Sequence, residues 1–280
     1  MPVHKQIKIK KMEDILIYNE LIQKLRFFFL KRGYVEVPTQ SNLSILAACE
    51  NPQSIVKYVF DGQEWPMIQT GQMVLEEVLL KNPDWEGVFC ITTSYRDEKD
   101  PIPGRHNKVF PMFEFESKGG FEELKQVEKE LLEYLGFRTP LEVTYEDMCR
   151  KYSTEIVEAE HETKMWSNLG TSVSLQKFPK RTSPFFNMKS EDGETFQKID
   201  VILFGMETIG SAVRSSDPVM MRKMFYEISD GEYAGKLFEL FGRERVEKEL
   251  EEFLSNKFFD RFGAGIGMTR LMRAYQLLKQ

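Results

Sequence analysis

The sequence is poor in cysteine and has no long apolar run. Its three cysteines, Cys49, Cys90 and Cys149, are scattered and form no CxxC pair. This usage is typical of reduced thiols in a cytoplasmic protein and gives no sign of a disulfide framework or a paired-cysteine zinc site. No apolar stretch approaches ~18 residues, so no transmembrane helix is predicted. The N-terminus, MPVHKQIKIKK, lacks the apolar core of a secretory signal peptide.

An excess of positive charge is also missing. Lysine and arginine number 38 against 44 aspartate and glutamate residues, for a formal net charge of −6. The composition therefore gives no indication of a bulk basic surface for nucleic acid. Four lysines within residues 5–11 form a short basic arm, which we interpret as a solvated tail. With 41% hydrophobic residues, the chain can form one large domain over residues 1–280 with a sizeable core.

Helix-like and strand-like segments are intermixed along the chain. Met12–Lys31 and Phe121–Leu135 have apolar residues at helical spacing, and Gly136 ends the second segment. Because strands and helices do not strictly alternate, we predict an α+β fold, an antiparallel β-sheet flanked by helices, rather than a doubly wound parallel sheet. Further helices are predicted at Gln72–Leu80, Tyr145–Tyr152 and Pro218–Phe258, and strands at Val35–Val37, Lys57–Phe60, Trp65–Ile68, Ser172–Leu175, Phe185–Lys189, Phe196–Leu203 and Glu207–Val213.

The segment SYRDEKDPIPGRHNKVFPMFEFE, residues 94–116, joins two strand-like runs through a polar loop. Two such runs predict an antiparallel hairpin. The loop carries Arg105 and His106, and Phe110 lies just beyond it. A guanidinium can donate two hydrogen bonds at once to a phosphate or carboxylate, and a phenyl ring can stack on a flat ligand. This segment alone is compatible with two interpretations, an anion-binding loop and an ordinary solvated hairpin loop.

A second segment, Gly263–Gly267, has glycine at every other position and precedes Arg270 and a helical run that ends at Leu278. Alternate glycines leave one strand face bare, so a flat ligand or another backbone can approach closely. Near the start of a helix a cation gains nothing from the helix dipole, so Arg270 is expected to meet an anion. The run lacks a Walker Lys-Ser/Thr and the glycine spacing of a dinucleotide fingerprint, and alone it is a weak signal.

Two acids and an arginine, Asp200, Glu207 and Arg214, recur at intervals of seven residues. An odd separation cannot place two of them on one face of a regular strand. A hairpin turning at Leu203-Phe204 would set Asp200 directly across from Glu207. Facing carboxylates repel unless a cation bridges them, and Mg²⁺ prefers a few carboxylates together with substrate phosphates. The residues alone leave a Mg²⁺ site and a pair of solvated acids as alternatives.

Together these segments resemble the signature motifs of the class II aminoacyl-tRNA synthetases. Tyr95–Glu98, followed by Arg105-His106 and Phe110, is similar to motif 2 of that family. Gly263–Arg270 is similar to motif 3, Gly-x-Gly-x-Gly-x-x-Arg. Leu25–Thr39 resembles motif 1, the helix and strand of the family's dimer interface. The resemblance implies an α+β fold of the class II type and an ATP-dependent activity.

Other segments resemble the aspartyl/asparaginyl branch of that family. These are the nine residues IQTGQMVLE at 68–76, Glu160-His161-Glu162, and the stretch 178–189 with its Phe-Pro-Lys. The register of Asp200, Glu207 and Arg214 is also that of the branch. The resemblance covers nearly the whole chain in the right order.

The resemblance implies that ATP and Mg²⁺ are cofactors. Arg96 would bind the α-phosphate and the reacting carboxylate, and Arg270 would bind the γ-phosphate. These two arginines would be the catalytic residues, and Asp200 and Glu207 would hold the metal. The other implied ATP-binding residues are Glu98, Arg105, His106 and Phe110, with Phe110 stacked on adenine.

The amino-acid pocket is implied in the same way. Arg214 would bind the side-chain end of the substrate, and Glu50 lies where the branch has a carboxylate for the α-ammonium group. Gln69, Gln72 and Glu114 would complete the pocket. Attack of a carboxylate on the α-phosphorus joins two anions, so catalysis is mostly positioning and charge neutralisation, with no nucleophilic side chain required.

The sequence also departs from the family pattern. Leu75 stands where an aspartyl enzyme usually has lysine, and leucine at this position is typical of asparaginyl enzymes. Arg214, in contrast, favours a substrate with an anionic side chain. Val109 replaces a glutamate that usually precedes the stacking phenylalanine. The segment 218–258 is longer and more charged than the segment expected between these motifs. We interpret it as a helical insertion before motif 3. No anticodon-binding domain is expected, because the motif 1 segment begins already at Leu25.

We therefore expect an AMP-forming ligase that activates aspartate or a close relative and passes it to ammonia, similar to asparagine synthetases related to asparaginyl-tRNA synthetase. One alternative is an asparaginyl- or aspartyl-tRNA ligase, or a paralog that loads another acceptor. A third is a catalytically silent binding protein. The expected location is cytoplasmic. The expected assembly is a homodimer through Leu25–Thr39, because Phe27, Phe28, Phe29 and Tyr34 are more aromatic surface than one helix and strand normally bury.

Overall fold

The computed structural model describes residues 12–39, 43–45 and 52–280. Glu50 and the basic arm at residues 5–11 lie outside these ranges. The helices are α1 (Met12–Lys31), α2 (Gln72–Lys81), α3 (Phe121–Leu135), α4 (Tyr145–Tyr152), α5 (Ala159–Leu169), α6 (Pro218–Glu227), α7 (Glu232–Phe241), α8 (Arg243–Leu254) and α9 (Met268–Leu278). The strands are β1 (Val35–Glu36), β2 (Lys57–Phe60), β3 (Gln63–Pro66), β4 (Gly87–Tyr95), β5 (Val109–Lys118), β6 (Leu141–Thr144), β7 (Ser172–Pro179), β8 (Thr195–Leu203), β9 (Met206–Arg214) and β10 (Arg261–Gly267).

Within these ranges, one sheet of eight strands organises the fold. Its order is β1-β4-β5-β10-β9-β8-β7-β6. The central strands are antiparallel, whereas β1 pairs with β4 and β6 pairs with β7 in parallel. Strands β2 and β3 form a separate two-stranded ribbon. The predicted α+β fold is confirmed, with parallel pairing at the two ends of a mainly antiparallel sheet.

One face of the sheet is covered by α1, α3 and α9 and holds the largest apolar core. Phe29 of α1 packs on Phe113 and Phe115 of β5, with ring centroids 5.2 and 4.6 Å apart. Phe28 and Tyr34 are also buried, whereas Phe27 is 58% exposed. Most of the aromatic surface that suggested a dimer thus belongs to the core of one chain, and the homodimer stays a prediction.

The opposite face is partly covered by α6, α7 and α8. A second core joins these helices to Phe185 and Phe186, which precede β8. The helical stretch predicted at 218–258 consists of three helices, broken at Ile228–Gly231 and at Gly242 and ending at Leu254. Ser229 and Asp230 have φ of 51° and 53°, a left-handed turn that no helix can continue through.

One sequence prediction was wrong in this region, and one helix elsewhere was missed. Phe185–Lys189 is not a strand, although Met188 forms an isolated bridge to Arg214 at the end of β9. Helix α5 was not predicted because only His161 and Met165 of its eleven residues are buried, which leaves no apolar stripe to detect. Among the described residues, no helix is long and apolar enough to cross a lipid bilayer.

Candidate active site

The uncovered part of the sheet carries the acids and the arginine that the sequence singled out. Strands β8 and β9 form a hairpin that turns at Phe204 and Gly205, with φ of 48° and 73°. The predicted register was wrong: Glu207 pairs with Ile202, and Asp200 pairs with Gly210. The register shifts between these pairs because Thr208 is an extra residue, a β-bulge. The bulge changes the alternation along β9, so Glu207 and Arg214 both reach the face of Asp200.

Gly210 lies between the two carboxylates and leaves space for a cation. A Cβ at this position would lie 3.1 Å from Glu207 Oε1 and 3.7 Å from Asp200 Oδ1. Both oxygens therefore lie next to the space that a side chain at position 210 would occupy. Within the described ranges, no cluster of three or more acidic, histidine or cysteine residues could bind a metal ion by itself. A pair of carboxylates suits Mg²⁺, which usually completes its shell with water and phosphate oxygens.

Three cations surround this carboxylate pair. Arg270 Nη1 donates to the backbone oxygen of Glu207 at 2.8 Å and to Glu207 Oε2 at 3.2 Å. Lys198 Nζ lies 3.1 Å from Asp200 Oδ2. Although burial alone would raise it, the charges of Arg270, Lys198 and Arg96 hold the pKa of Glu207 below its usual value. Glu207 therefore stays ionised at neutral pH and can bind a cation.

A small cavity of about 100 Å³, here called the loop cavity, lies beside the β4–β5 loop. Arg96 stacks over the ring of Phe110 at 5.4 Å, and its buried Nε makes no hydrogen bond within the described residues. A buried guanidinium N–H without an acceptor is costly unless a ligand supplies one. His106 Nδ1 lies 2.9 Å from Glu98 Oε2 on the same wall. The structure thus brings together the residues Arg96, Glu98, Arg105, His106, Phe110, Glu207 and Arg270.

Arg105 of this loop is anchored by a residue that was quoted only as part of a motif. Its guanidinium pairs with Glu162 of α5 and lies 3.4 Å from the backbone oxygen of Gly205. Glu162 Oε2 also accepts the backbone N–H of Glu207 at 2.6 Å. One carboxylate therefore fixes the basic loop and the β8–β9 turn together. In the sequence, Glu162 was marked only by the Glu160-His161-Glu162 motif, which did not indicate the residues that Glu162 contacts.

A larger cavity of about 330 Å³, here called the main cavity, adjoins the loop cavity. It is lined by Gln72 and Glu114, two of the residues that the resemblance assigned to an amino-acid pocket. Glu114 is buried and accepts hydrogen bonds from Thr70, from Thr92 and from the backbone N–H of Gly71. Gln69 is also buried, but its amide donates to the Ser54 backbone oxygen, and it does not line the main cavity among the described residues.

Arg214 lines the inner end of the main cavity and is already engaged by acids. Its Nε and Nη2 donate to Glu116 at 3.1 and 2.6 Å, and its Nε is 3.8 Å from Glu76. Glu76 in turn accepts from Arg261 Nη2 at 2.7 Å, and neither of these side chains is exposed. Burial raises the pKa of Glu116 to about 7, although Arg214 opposes the shift. Sequence reasoning missed Glu76, Glu116 and Arg261, which hold Arg214 in place.

The alternate glycines of β10 have two different uses. A Cβ at Gly263 would collide with the carboxylate of Glu116, so this glycine makes room for the pair between Glu116 and Arg214. A Cβ at Gly265 would lie 2.9 Å from Met112 Cε, and Gly265 lines both cavities. The bare strand face expected from the sequence is therefore open to a ligand at Gly265, and at Gly263 it is filled by a side chain.

The fold and the motifs agree with comparisons to known proteins. The sequence matches the family described as tRNA synthetases class II (D, K and N) over residues 4–277. The chain belongs to this class II family. A comparison with curated protein sequences found no match.

Solved structures of asparaginyl and aspartyl enzymes are among those similar to this chain. The asparaginyl-tRNA synthetase of Pyrococcus horikoshii complexed with asparaginyl-adenylate is 19% identical, with a TM-score of 0.78 over 94% of this chain and 65% of that chain. The asparaginyl-tRNA synthetase of Entamoeba histolytica in complex with asparaginyl-adenylate is 16% identical, with a TM-score of 0.72 over 93% and 63%. The aspartyl tRNA synthetase of the same organism is 19% identical, with a TM-score of 0.70 over 93% and 55%.

The chain thus spans between 55% and 65% of the length of these three proteins. At these identities the likeness shows the fold of the catalytic core. In this chain a basic loop cavity and a main cavity adjoin each other, and Arg96 and Glu207 line both of them. Such an arrangement can bring two anions together and stabilise the charge that develops between them.

Proposed function

We propose that the chain is an ATP-dependent, AMP-forming ligase that activates an aspartate-type carboxylate as an acyl-adenylate and passes it to ammonia. The observation that carries this proposal is the meeting of the two cavities at Arg96 and Glu207. Arg96, Glu207, Gly210 and Gly265 line both of them. ATP would occupy the loop cavity and the amino acid the main cavity, so the α-phosphorus and the reacting carboxylate would meet at Arg96.

The side chains support this division of roles. Phe110 offers a ring for adenine, and Arg105, His106 and Arg270 offer positive or hydrogen-bonding groups for phosphates. Mg²⁺, when bound at Asp200 and Glu207, would neutralise part of the phosphate charge. A carboxylate oxygen attacks the α-phosphorus, the bond to the bridging oxygen breaks, and pyrophosphate leaves with the bonding electrons. Arg96 would hold both reacting anions, and its unsatisfied Nε is suited to that task.

The orientation of aspartate follows from the product. If asparagine is formed, the adenylate must lie on the β-carboxylate, which would face Arg96. The α-carboxylate, rather than the side-chain end, would then lie toward Arg214 in the main cavity, because a guanidinium can bind either carboxylate. Ammonia attacks the acyl carbon with its lone pair, AMP departs with the former carboxylate oxygen, and a proton passes to solvent. Gln72 and Glu114 would hold the remaining polar atoms of the amino acid.

The acceptor separates the proposal from its main alternative. The net charge of −6 favours a small acceptor over a polyanionic RNA. The alternative is transfer to tRNA, and it is supported by the similar solved structures, which are named tRNA synthetases. A catalytically silent binding protein is disfavoured because Arg96, Asp200, Glu207 and Arg270 remain together in one cleft. A cytoplasmic location stays part of the proposal.

Product analysis tests the acceptor. The purified protein is incubated with ATP, Mg²⁺ and aspartate, with and without ammonium, and separately with tRNA in place of ammonium. We expect asparagine and AMP in equal amounts with ammonium and no RNA. Esterified tRNA without free asparagine would overturn the ammonia proposal and favour the tRNA ligase. Asparagine as a substrate should be poor, because it has only one carboxylate to place.

A further inference from the structure

The turn between α6 and α7 forms part of the wall of the main cavity. Ile228, Ser229 and Tyr233 all line this cavity. Ile228 and Tyr233 are buried, whereas Ser229 is half-buried. The segment that the sequence analysis interpreted as a helical insertion therefore contributes side chains to the same cavity as the strands of the sheet.

This part of the wall lies near Arg214. The ring centroid of Phe185, which lines the main cavity, is 5.4 Å from that of Tyr233. Met188 donates its backbone N–H to the Phe185 oxygen at 3.0 Å and forms the bridge to Arg214. Among the described residues, Ser229 belongs to the lining of the main cavity and not to that of the loop cavity. It therefore lies away from the place where the phosphates would bind.

The backbone of this turn is strained. Ser229, Asp230 and Gly231 have φ of 51°, 53° and 86°. The left-handed region suits glycine but is unfavourable for a residue with a Cβ, and such residues usually occur singly. Strained backbone is concentrated at functional sites, where the surrounding structure holds it in place. Of the two residues with a Cβ, Ser229 lines the main cavity and Asp230 is exposed.

The hydroxyl of Ser229 is available to a ligand, since no hydrogen bond engages it within the described ranges. The hydroxyls of Thr70, Thr182 and Ser211 also border the main cavity, but each of them donates to an acceptor of the protein. Ser183 lines the cavity too, but it is exposed and lies at the rim. Ser229 is therefore the more sheltered of the hydroxyls that can still bind a ligand there.

We propose that the hydroxyl of Ser229 forms a hydrogen bond with the polar end of the amino acid that lies away from the phosphates. This inference rests on the proposed function and adds a substrate-binding residue to its amino-acid site. In the orientation proposed for aspartate, that end carries the α-carboxylate and the α-ammonium group. A hydroxyl can donate to the first or accept from the second. The turn would hold the hydroxyl in place, which accounts for a serine where glycine would be less strained.

Three single variants separate the hydroxyl from the backbone. Ser229→Ala removes the hydroxyl and keeps the Cβ, and Ser229→Gly removes both. Asp230→Gly relieves the same backbone strain one residue away and serves as the matched control. Aspartate binding is measured by calorimetry with the nucleotide-free protein, and again with Mg²⁺ and α,β-methylene ATP, which cannot release pyrophosphate. We expect both Ser229 variants to weaken aspartate binding by about tenfold and Asp230→Gly to leave it unchanged.

Thermal unfolding and kinetics exclude a merely structural effect. We expect the melting temperature of each variant to stay within about 3 °C of the unaltered protein. In both Ser229 variants the KM for aspartate should rise while the KM for ATP stays unchanged. Normal aspartate binding by Ser229→Ala would overturn the proposal, because the hydroxyl would then make no contact. Equal weakening by Ser229→Gly and Asp230→Gly would overturn it as well, because the shape of the turn would then be responsible.

The same measurements distinguish this inference from the proposed function. If aspartate binding depends on the Ser229 hydroxyl but no AMP forms, the ligase proposal fails and the inference about Ser229 stands. If AMP forms and both Ser229 variants bind aspartate normally, the inference fails and the ligase proposal stands. Absence of aspartate binding to the unaltered protein, with and without the nucleotide analogue, would overturn both.

Discussion

Glu207 and Arg214 lie on the same face of β9 although seven residues separate them. The bulge at Thr208 makes this possible by shifting the register of the β8–β9 pair. One strand thus provides an acid for the metal site and the arginine at the inner end of the main cavity. Because both are fixed on the same strand, the backbone would set the distance between the phosphate and the far end of the amino acid in the proposed reaction.

The carboxylate pair should be essential for adenylate formation. Replacing Asp200 by Asn and Glu207 by Gln keeps the side-chain shapes and removes the charges that would hold Mg²⁺. We expect AMP formation to fall by at least about 100-fold while the circular dichroism spectrum stays unchanged. Asp192→Asn, in the exposed turn before β8, serves as the control. Full activity of the double variant would show that Asp200 and Glu207 do not form the metal site.

Glu162 should affect ATP binding through Arg105. Its carboxylate fixes both Arg105 and the backbone N–H of Glu207. Glu162→Gln loses the charge that holds Arg105, so we expect the KM for ATP to rise roughly tenfold. The neighbouring Glu160→Gln, whose side chain is 65% exposed, should leave KM unchanged. An unchanged or lower KM for ATP in Glu162→Gln would show that Arg105 does not need this anchor.

Glu128 of α3 should make the protein less stable as the pH rises. It is 2% exposed, and burial together with the charge of Asp200 raises its pKa to about 8, which a hydrogen bond with Ser211 only partly offsets. The unfolded chain loses this proton near the ordinary value of 4.5, whereas the folded chain keeps it to higher pH. Between these two values the unfolding free energy should therefore decline with pH, by up to a few kcal/mol.

The variant Glu128→Gln tests this dependence by urea unfolding at about pH 5 and 8. We expect a flatter profile than for the unaltered protein and a higher stability at the upper pH. Glu130→Gln on the same helix, with a side chain that is 39% exposed, is the control. If the unfolding free energy of Glu128→Gln declined with pH as steeply as that of the unaltered protein, another titrating group would be responsible for the decline.

The homodimer prediction now rests on the exposed side of α1. Phe27 and Leu30 are 58% and 53% exposed and lie three residues apart, so they form a small apolar patch on one face of the helix. We expect light scattering to give a dimer at micromolar concentration and Phe27→Asp to give a monomer. Val219→Asp, at a residue that is 71% exposed on α6, should not change the mass. A monomeric unaltered protein would contradict the prediction.

Local patterns were enough to define several elements of this fold. The bounds of α1, α3 and α4 were predicted to the residue. Helix α4 begins after Thr144, whose hydroxyl accepts the backbone N–H of Asp147, and ends before Ser153 in a left-handed conformation. Gly136 ends α3 with a φ of 92°. Signals of this kind lie within a few neighbouring residues, so they can be read from the chain.

The site was harder to predict because its details depend on pairing between distant segments. The bulge at Thr208 is fixed by the register against β8, and nothing in its local composition marks it. Arg261 is completely buried because it meets Glu76, 185 residues away in sequence. The resemblance to a known family identified most of the residues that line the two cavities. Their hydrogen-bond and ion-pair partners could be identified only from the structure.

Activation of an amino-acid carboxylate by ATP can be measured as ATP–pyrophosphate exchange, because the first half-reaction is reversible. Labelled pyrophosphate is incubated with the protein, ATP, Mg²⁺ and each amino acid in turn, without ammonium or RNA. We expect exchange that requires an amino acid, is strongest with aspartate, and is lost in the Asp200→Asn, Glu207→Gln variant. A folded protein that supports no exchange with any amino acid would contradict this expectation.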